Sequence, residues 1–235
     1  MVIDFHAHIL PGADHGSKSR EITRAQLGLI SAAGTDAVVG TPHFYPHKDN
    51  IAAFLARRNA AIERLTDCAI PPSLQIFVGA EVQVCEGLEE MEDLEALCVQ
   101  GTSVILLEMP FAPWSTRLTD TVLAIGERGL TPVLAHVDRY DEKLLAPLLK
   151  QGIGAQLNAE AFEGFWARRR AKRMLSAGCV VALGSDLHGA ETEGYAPFVR
   201  LQARLGDAAD AVFKRSADLL KNAENYTRLV GKSVF

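Results

Sequence analysis

His6 and His8 stand two residues apart at the end of the strand-like run from Val2 to Phe5. On a strand successive side chains alternate faces, so the two imidazoles point the same way and can share one metal ion. Two surface or hydrogen-bonded histidines have the same spacing, and the pair alone does not separate the readings. Other residues with coordinating side chains recur in equivalent places. His43 in Thr41-Pro42-His43, then Glu81, Glu108, His136, and both Asp186 and His188 each follow an apolar stretch, with Asp14 in the segment after the first. Five of the seven histidines belong to this set; His15 and His47 stand outside it, His15 beside Asp14 and close enough to touch a substrate. A core does not need such a pattern, because charged groups are seldom buried unless paired or coordinated. The set therefore points to divalent cations. Mixed imidazole and carboxylate donors suit manganese, iron or zinc better than magnesium, and the lack of cysteine disfavours a purely structural zinc.

The elements that must position these groups follow from the apolar runs. Seven are expected as strands: Val2 to Phe5, Ala37 to Gly40, Leu74 to Ala80, Val104 to Met109, Pro132 to Ala135, Gly154 to Asn158 and Val180 to Gly184. Amphipathic stretches between them, such as Arg20 to Ala33, Ile51 to Thr66, Thr119 to Arg128 and Ala167 to Ala177, are expected as helices. Repeated β then α units imply a parallel sheet, and seven in succession suggest a closed barrel, an α/β (β/α)7 fold over residues 1–235 as a single domain. In such barrels chemistry gathers at the C-terminal strand ends, where the coordinating residues fall. The sixth strand, ending at Asn158, offers no strong ligand. A further helix from Asp207 to Asn222 is expected to cover the barrel or make a homo-oligomer contact.

Bulk properties narrow the function. The 235 residues are 48% hydrophobic and 23% charged with a net charge of -5, which argues against a protein gripping nucleic acid through its phosphates. The one dense basic run, Arg168 to Arg173, reads as a solvated helix face or a docking patch for an acidic partner. No apolar stretch is long enough for a membrane span and no basic-then-apolar leader precedes the first strand, so the cytoplasm is the expected location. Cys68, Cys85, Cys98 and Cys179 are scattered, without metal-site spacing, and none has an arginine six residues later as a cysteine-based phosphatase loop requires.

Taken in order, His6-Ala7-His8-Ile9-Leu10-Pro11-Gly12, Asp14, Thr41-Pro42-His43, Gly79-Ala80-Glu81, Glu108-Met109-Pro110-Phe111, the segment from Ala135 to Tyr140, and Ser185-Asp186-Leu187-His188 resemble the PHP (polymerase and histidinol phosphatase) superfamily. Within it the chain is most similar to the CpsB/YwqE-type tyrosine-protein phosphatases of capsular and exopolysaccharide loci. The resemblance implies a distorted seven-stranded barrel with three divalent ions, most often manganese. It implies that His6, His8, Glu81 and Asp186 bind one ion and that Glu81 bridges to a second held by Glu108 and His136. Asp14, His43 and His188 hold the third, and Arg139 contacts phosphate. Two departures stand out: Val137-Asp138 replaces a Pro-Glu pair before Arg139, and Glu191 and Glu193 occupy the stretch where close members carry another phosphate-facing arginine.

Such a centre has a positive surplus over its four carboxylates, and it suits in-line attack on phosphorus by a metal-activated hydroxide. Phenolate, whose parent acid has a pKa of about 10, leaves more readily than an alkoxide, which favours aryl phosphates and hence phosphotyrosyl proteins. His15 or a bound water would serve as the acid. Histidinol phosphate or another small phosphomonoester, a phosphodiester, an amidohydrolase reaction and a non-catalytic metal-binding module are the alternatives. The amidohydrolase class usually needs a carbamylated lysine bridge, whereas Lys18, Lys48, Lys143 and Lys150 fall in loops or helices. Phe111 with Trp114, and Phe44 with Tyr45, fit either an aromatic wall for a tyrosyl ring or rim packing.

Overall fold

The computed structural model describes residues 1–223. Nine strands and seven α-helices alternate along them: β1 (Ile3–Ala7), α1 (Arg20–Ala32), β2 (Ala37–Gly40), β3 (His43–Phe44), α2 (Ile51–Thr66), β4 (Gln75–Val78), β5 (Glu81–Gln83), β6 (Val104–Glu108), α3 (Thr116–Glu127), β7 (Thr131–Leu134), α4 (Glu142–Lys150), β8 (Gly154–Asn158), α5 (Phe165–Ser176), β9 (Val180–Gly184), α6 (Thr192–Leu205) and α7 (Asp207–Leu219). Helix starts are capped by side chains. Ser19 accepts from the Ile22 amide at α1 and Asn50 from the Ala53 amide at α2, each satisfying a donor that the first helical turn leaves unpaired.

All strand pairs are parallel, in two sheets of order β1-β2-β4 and β3-β5-β6-β7-β8-β9. The two extra strands come from interruptions. The β2 and β4 ladder runs to Gly40 opposite Val78; after Pro42, which has no N–H to give, pairing resumes with His43 opposite Glu81. Each of these two expected strands is thus followed by a short second one, β3 or β5, outside the expected bounds, and the resumed pairing brings His43 and Glu81 to the same point. At the far side, the amide of Asp186 donates to the His6 carbonyl at 2.7 Å and that of His8 to the Leu187 carbonyl at 3.1 Å, so the chain after β9 runs beside β1.

The strands are buried on both faces, as parallel sheets require, with Ile3, Phe5, Val38, Ile76, Ile105, Leu107, Leu157 and Leu183 in one continuous apolar core. Helix α7 covers β9: Val212 and Phe213 are buried, Ser216 Oγ donates to the Val181 carbonyl and Arg215 to that of Val180. Helices α4 and α6, which periodicity did not single out, contain Pro147 and Pro197, residues that read as helix breaks. No helix among the described residues is long and apolar enough to cross a membrane.

Candidate metal centre

The strand ends converge. His6 leaves β1 on the same side as His8, and their Nε2 atoms approach to 3.2 Å. Glu81, at the start of β5 and fully buried, sits against both: its Oε2 is 3.2 Å from His6 Nε2 and from His8 Nε2, and 3.0 Å from His43 Nδ1. Its other oxygen, Oε1, lies 2.8 Å from His136 Nε2, which is 3.6 Å from Glu108 Oε1. Asp186 completes the enclosure with Oδ1 3.6 Å from His6 Nε2 and 3.4 Å from His8 Nε2.

Four of the five rings are fixed through their outer nitrogens. His6 Nδ1 faces Gln156 Oε1 at 3.2 Å, His8 Nδ1 faces Asp14 Oδ2 at 2.7 Å, His136 Nδ1 faces the Tyr140 hydroxyl at 3.1 Å, and His188 Nδ1 donates to the Asp186 carbonyl at 2.9 Å. A ring whose outer nitrogen carries the proton turns an unprotonated nitrogen inward, which is the form a cation needs. Three buried inner atoms, Glu81 Oε2, His43 Nδ1 and His188 Nε2, have no hydrogen-bond partner. Orphaned buried acceptors are costly, and a cation among them removes that cost. The residues present therefore fit divalent metal. Three overlapping groups have donor atoms all within 4.8 Å of one another: His6, His8 and Glu81; His43, Glu81 and Glu108; and His8, His43 and His188. Asp14 stands behind His8, with its oxygens also accepting from the Gly16 and His43 amides.

Electrostatics follow from crowding. Burial and the neighbouring Glu81 push the Glu108 carboxyl up to about 7. Burial also acts on Asp14 and Asp186, but the adjacent imidazoles outweigh it and hold both below the usual carboxylate range. Burial and the nearby His8 lower His188 to about 4. His136 and Asp186 adopt left-handed backbone with φ of 32° and 54°, a conformation uncommon outside glycine that collects where side chains must be aimed. A Cβ on Gly184 would stand 2.6 Å from His6 Cβ, so only glycine lets β9 approach that closely.

The other expected site residues are at the rim. Arg139 Nη2 donates to Asp186 Oδ2 at 2.8 Å. His15 is exposed and its ring stacks at 4.9 Å on that of His43. Phe111, 64% exposed, lies 5.8 Å from the His136 ring, and Tyr45 stacks 5.0 Å from His43. Phe44 is instead buried against Phe54, and Trp114 packs edge-on to Tyr140.

Three supporting residues escaped the sequence reading. Gln156 and Asn158 on β8 form a relay: Gln156 Oε1 also accepts from the His136 amide, its amide group donates to Asn158 Oδ1, and Asn158 Nδ2 donates to Asp186 Oδ2. The strand without a ligand thus orients ligands on three others. Asp4, fully buried, accepts from Ser185 N at 2.9 Å and Ser185 Oγ at 2.6 Å, and burial raises its carboxyl to about 6. Its signal was alternation, since Asp4, His6 and His8 share one strand face.

A parallel α/β scaffold with imidazoles and carboxylates gathered at its strand ends is the arrangement of PHP-type metal-binding proteins. The chain belongs to the capsular polysaccharide synthesis family CpsB/CapC, whose family model matches residues 2–216. It is 29% identical to the tyrosine-protein phosphatase CpsB of Streptococcus pneumoniae, over 81% of this chain and 84% of the relative. It is 26% identical to the tyrosine-protein phosphatase YwqE of Bacillus subtilis, over 93% and 91%. A solved structure from work on these two proteins, described there as metal-dependent tyrosine phosphatases, shares the fold with a TM-score of 0.78 at 22% identity, over 95% of this chain and 96% of that one.

Proposed function

We propose that the chain is a metal-dependent phosphomonoester hydrolase acting first on protein phosphotyrosine, in the regulation of capsule or exopolysaccharide synthesis, with small phosphomonoesters as the second substrate class. The observation that carries the proposal is the buried Glu81 carboxylate enclosed by His6, His8, His43 and His136, with no hydrogen bond to its inner oxygen. We assign His6, His8, Glu81 and Asp186 to one ion, Glu81, Glu108 and His136 to a second, and Asp14, His43 and His188 to a third, with manganese ahead of iron or zinc. When bound, such ions supply Lewis acidity, offering charge to phosphoryl oxygens and lowering the pKa of water.

The chain's own residues do the rest. Gln156, Asp14 and Tyr140 hold the imidazoles in register. Arg139, at the mouth, turns its guanidinium from Asp186 to two phosphoryl oxygens, a fork geometry suited to phosphate. Phe111 and Tyr45 flank the mouth and take the phenyl ring of the substrate between apolar faces. His15, exposed beside the site, passes a proton to the departing phenolate oxygen. Against an amidohydrolase reading, Lys18, Lys48, Lys143 and Lys150 are all exposed, and Glu81 stands where a bridging lysine would be needed.

The frame we propose is a single domain, a distorted seven-stranded barrel in which β3 continues β2, β5 continues β4, and the hydrogen bonds between residues 185–188 and β1 join the ends. All four cysteines are free, which supports a reducing, cytoplasmic setting. Protein reconstituted with Mn2+ is to be assayed against a phosphotyrosyl peptide, histidinol phosphate, a phosphodiester and an amide. The expected order of kcat/KM puts the phosphotyrosyl peptide first, and chelator silences it; a leading amide or diester, or activity indifferent to chelator, overturns the assignment.

A further inference from the structure

Basic side chains stand beside the site. After His188 the chain carries exposed Glu191 and Glu193. On the side of β3 and α2, a cavity of about 370 Å³ runs from Asp14, His15 and His43 past Tyr45 to Lys48 and Arg57. Lys48 makes no ion pair among the described residues; its ammonium is held 4.7 Å above the Tyr45 ring, which in turn stacks 5.0 Å from His43. Arg57 is fixed from behind, Nε on the Ala13 carbonyl at 2.9 Å and Nη1 on Asp49, and its Nη2 has no hydrogen bond among the described residues. Lys48 is thus outside any ion pair among the described residues, Arg57 is paired with Asp49 at the cavity wall and keeps a donor to spare, and both cations line the cavity that holds candidate metal ligands.

We infer that this cavity is an anion subsite for the polypeptide substrate, in which Lys48, with Arg57 beside it, receives the carboxylate of an acidic residue adjoining the phosphotyrosine. The inference rests on the proposed phosphotyrosyl specificity and adds a sequence preference to it. Lys48 stands two ring contacts, 5.0 and 4.7 Å, from His43, and a peptide advances about 3.8 Å per residue, so the carboxylate it receives belongs to a residue close in sequence to the phosphotyrosine.

The test is the affinity of metal-reconstituted protein for two fluorescent peptides. Both carry a non-hydrolysable phosphonate in place of phosphotyrosine, one flanked by glutamates and the other by glutamines. The wild-type chain is expected to bind the acidic peptide about five- to tenfold more tightly, the size of a partly exposed charge-assisted contact. Lys48→Gln should bring the ratio close to one. Equal affinities in the wild-type chain, or a preference that Lys48→Gln retains, overturn the inference; weakening of both peptides alike places Lys48 on the phosphoryl group and overturns it too. Because binding is read without turnover, an inactive protein that still ranks the peptides counts against the proposed reaction and not against the subsite.

Discussion

Gln156 shows how a neutral side chain governs a charged centre. Its carbonyl oxygen meets both His6 Nδ1 and the His136 amide, so one residue sets a tautomer on one strand and a backbone posture on another. Gln156→Ala should weaken Mn2+ binding about ten- to a hundredfold, the usual cost of losing a partner behind a metal ligand, in a competition titration with a chelator. Glu81→Ala should abolish aryl phosphate hydrolysis with the far-UV circular dichroism retained, since its surroundings are other polar side chains at a strand end rather than the apolar core. Persisting turnover would refute its assigned role. The candidate coordinating residues were legible because imidazoles and carboxylates recur at phased positions. Gln156 and Asp4 were not, because an amide or a lone acid in a strand carries no spacing of its own and shows its purpose only once its partners, up to 181 residues away, are in place.

At the scale of elements, the basic run of α5 divides into two roles. Arg169 and Lys172 are exposed, whereas Arg170 points inward, donating to the Asp138 carbonyl at 2.9 Å, to the Tyr140 carbonyl, and to Glu142 at 3.0 Å. Helix α5 thereby clamps the turn of residues 137–139 that presents Arg139. The solvated-face reading of Arg168 to Arg173 holds for part of the run and fails at Arg170, because helical periodicity turns one residue of any such run toward the protein. Arg170→Ala should lower kcat/KM for an aryl phosphate about tenfold, chiefly through KM, while Arg169→Ala leaves it within about twofold. Matching losses in both variants would mean that the effect is one of overall charge. The strand pattern was legible in the same partial way: seven apolar runs mark the strands, but the breaks after Gly40 and Val78 are set by Pro42 and by the need to aim His43 and Glu81, a tertiary demand that periodicity does not encode.

For the molecule as a whole, the contact between β1 and the tail of β9 matters most. Asp4 carries it, accepting from both the amide and the hydroxyl of Ser185 in a fully buried setting. Asp4→Ala strands those donors and should cost about 2–3 kcal/mol in urea unfolding. Ser185→Ala, which removes one donor along with its bond, should cost less. If Asp4→Ala proves neutral, the junction is held by its backbone hydrogen bonds alone.

That junction also dictates when the centre comes into being. His6 and His8 precede Asp186 and His188 by 180 residues of chain. Seven of the nine proposed ligands are therefore made before β9, and the last two arrive only when β9 has closed upon β1, a loop closure that spans most of the fold. Under the proposed ligand assignment, capture of the full complement of cations is in this way reserved for molecules that have finished folding, so metal loading doubles as a certificate of maturity.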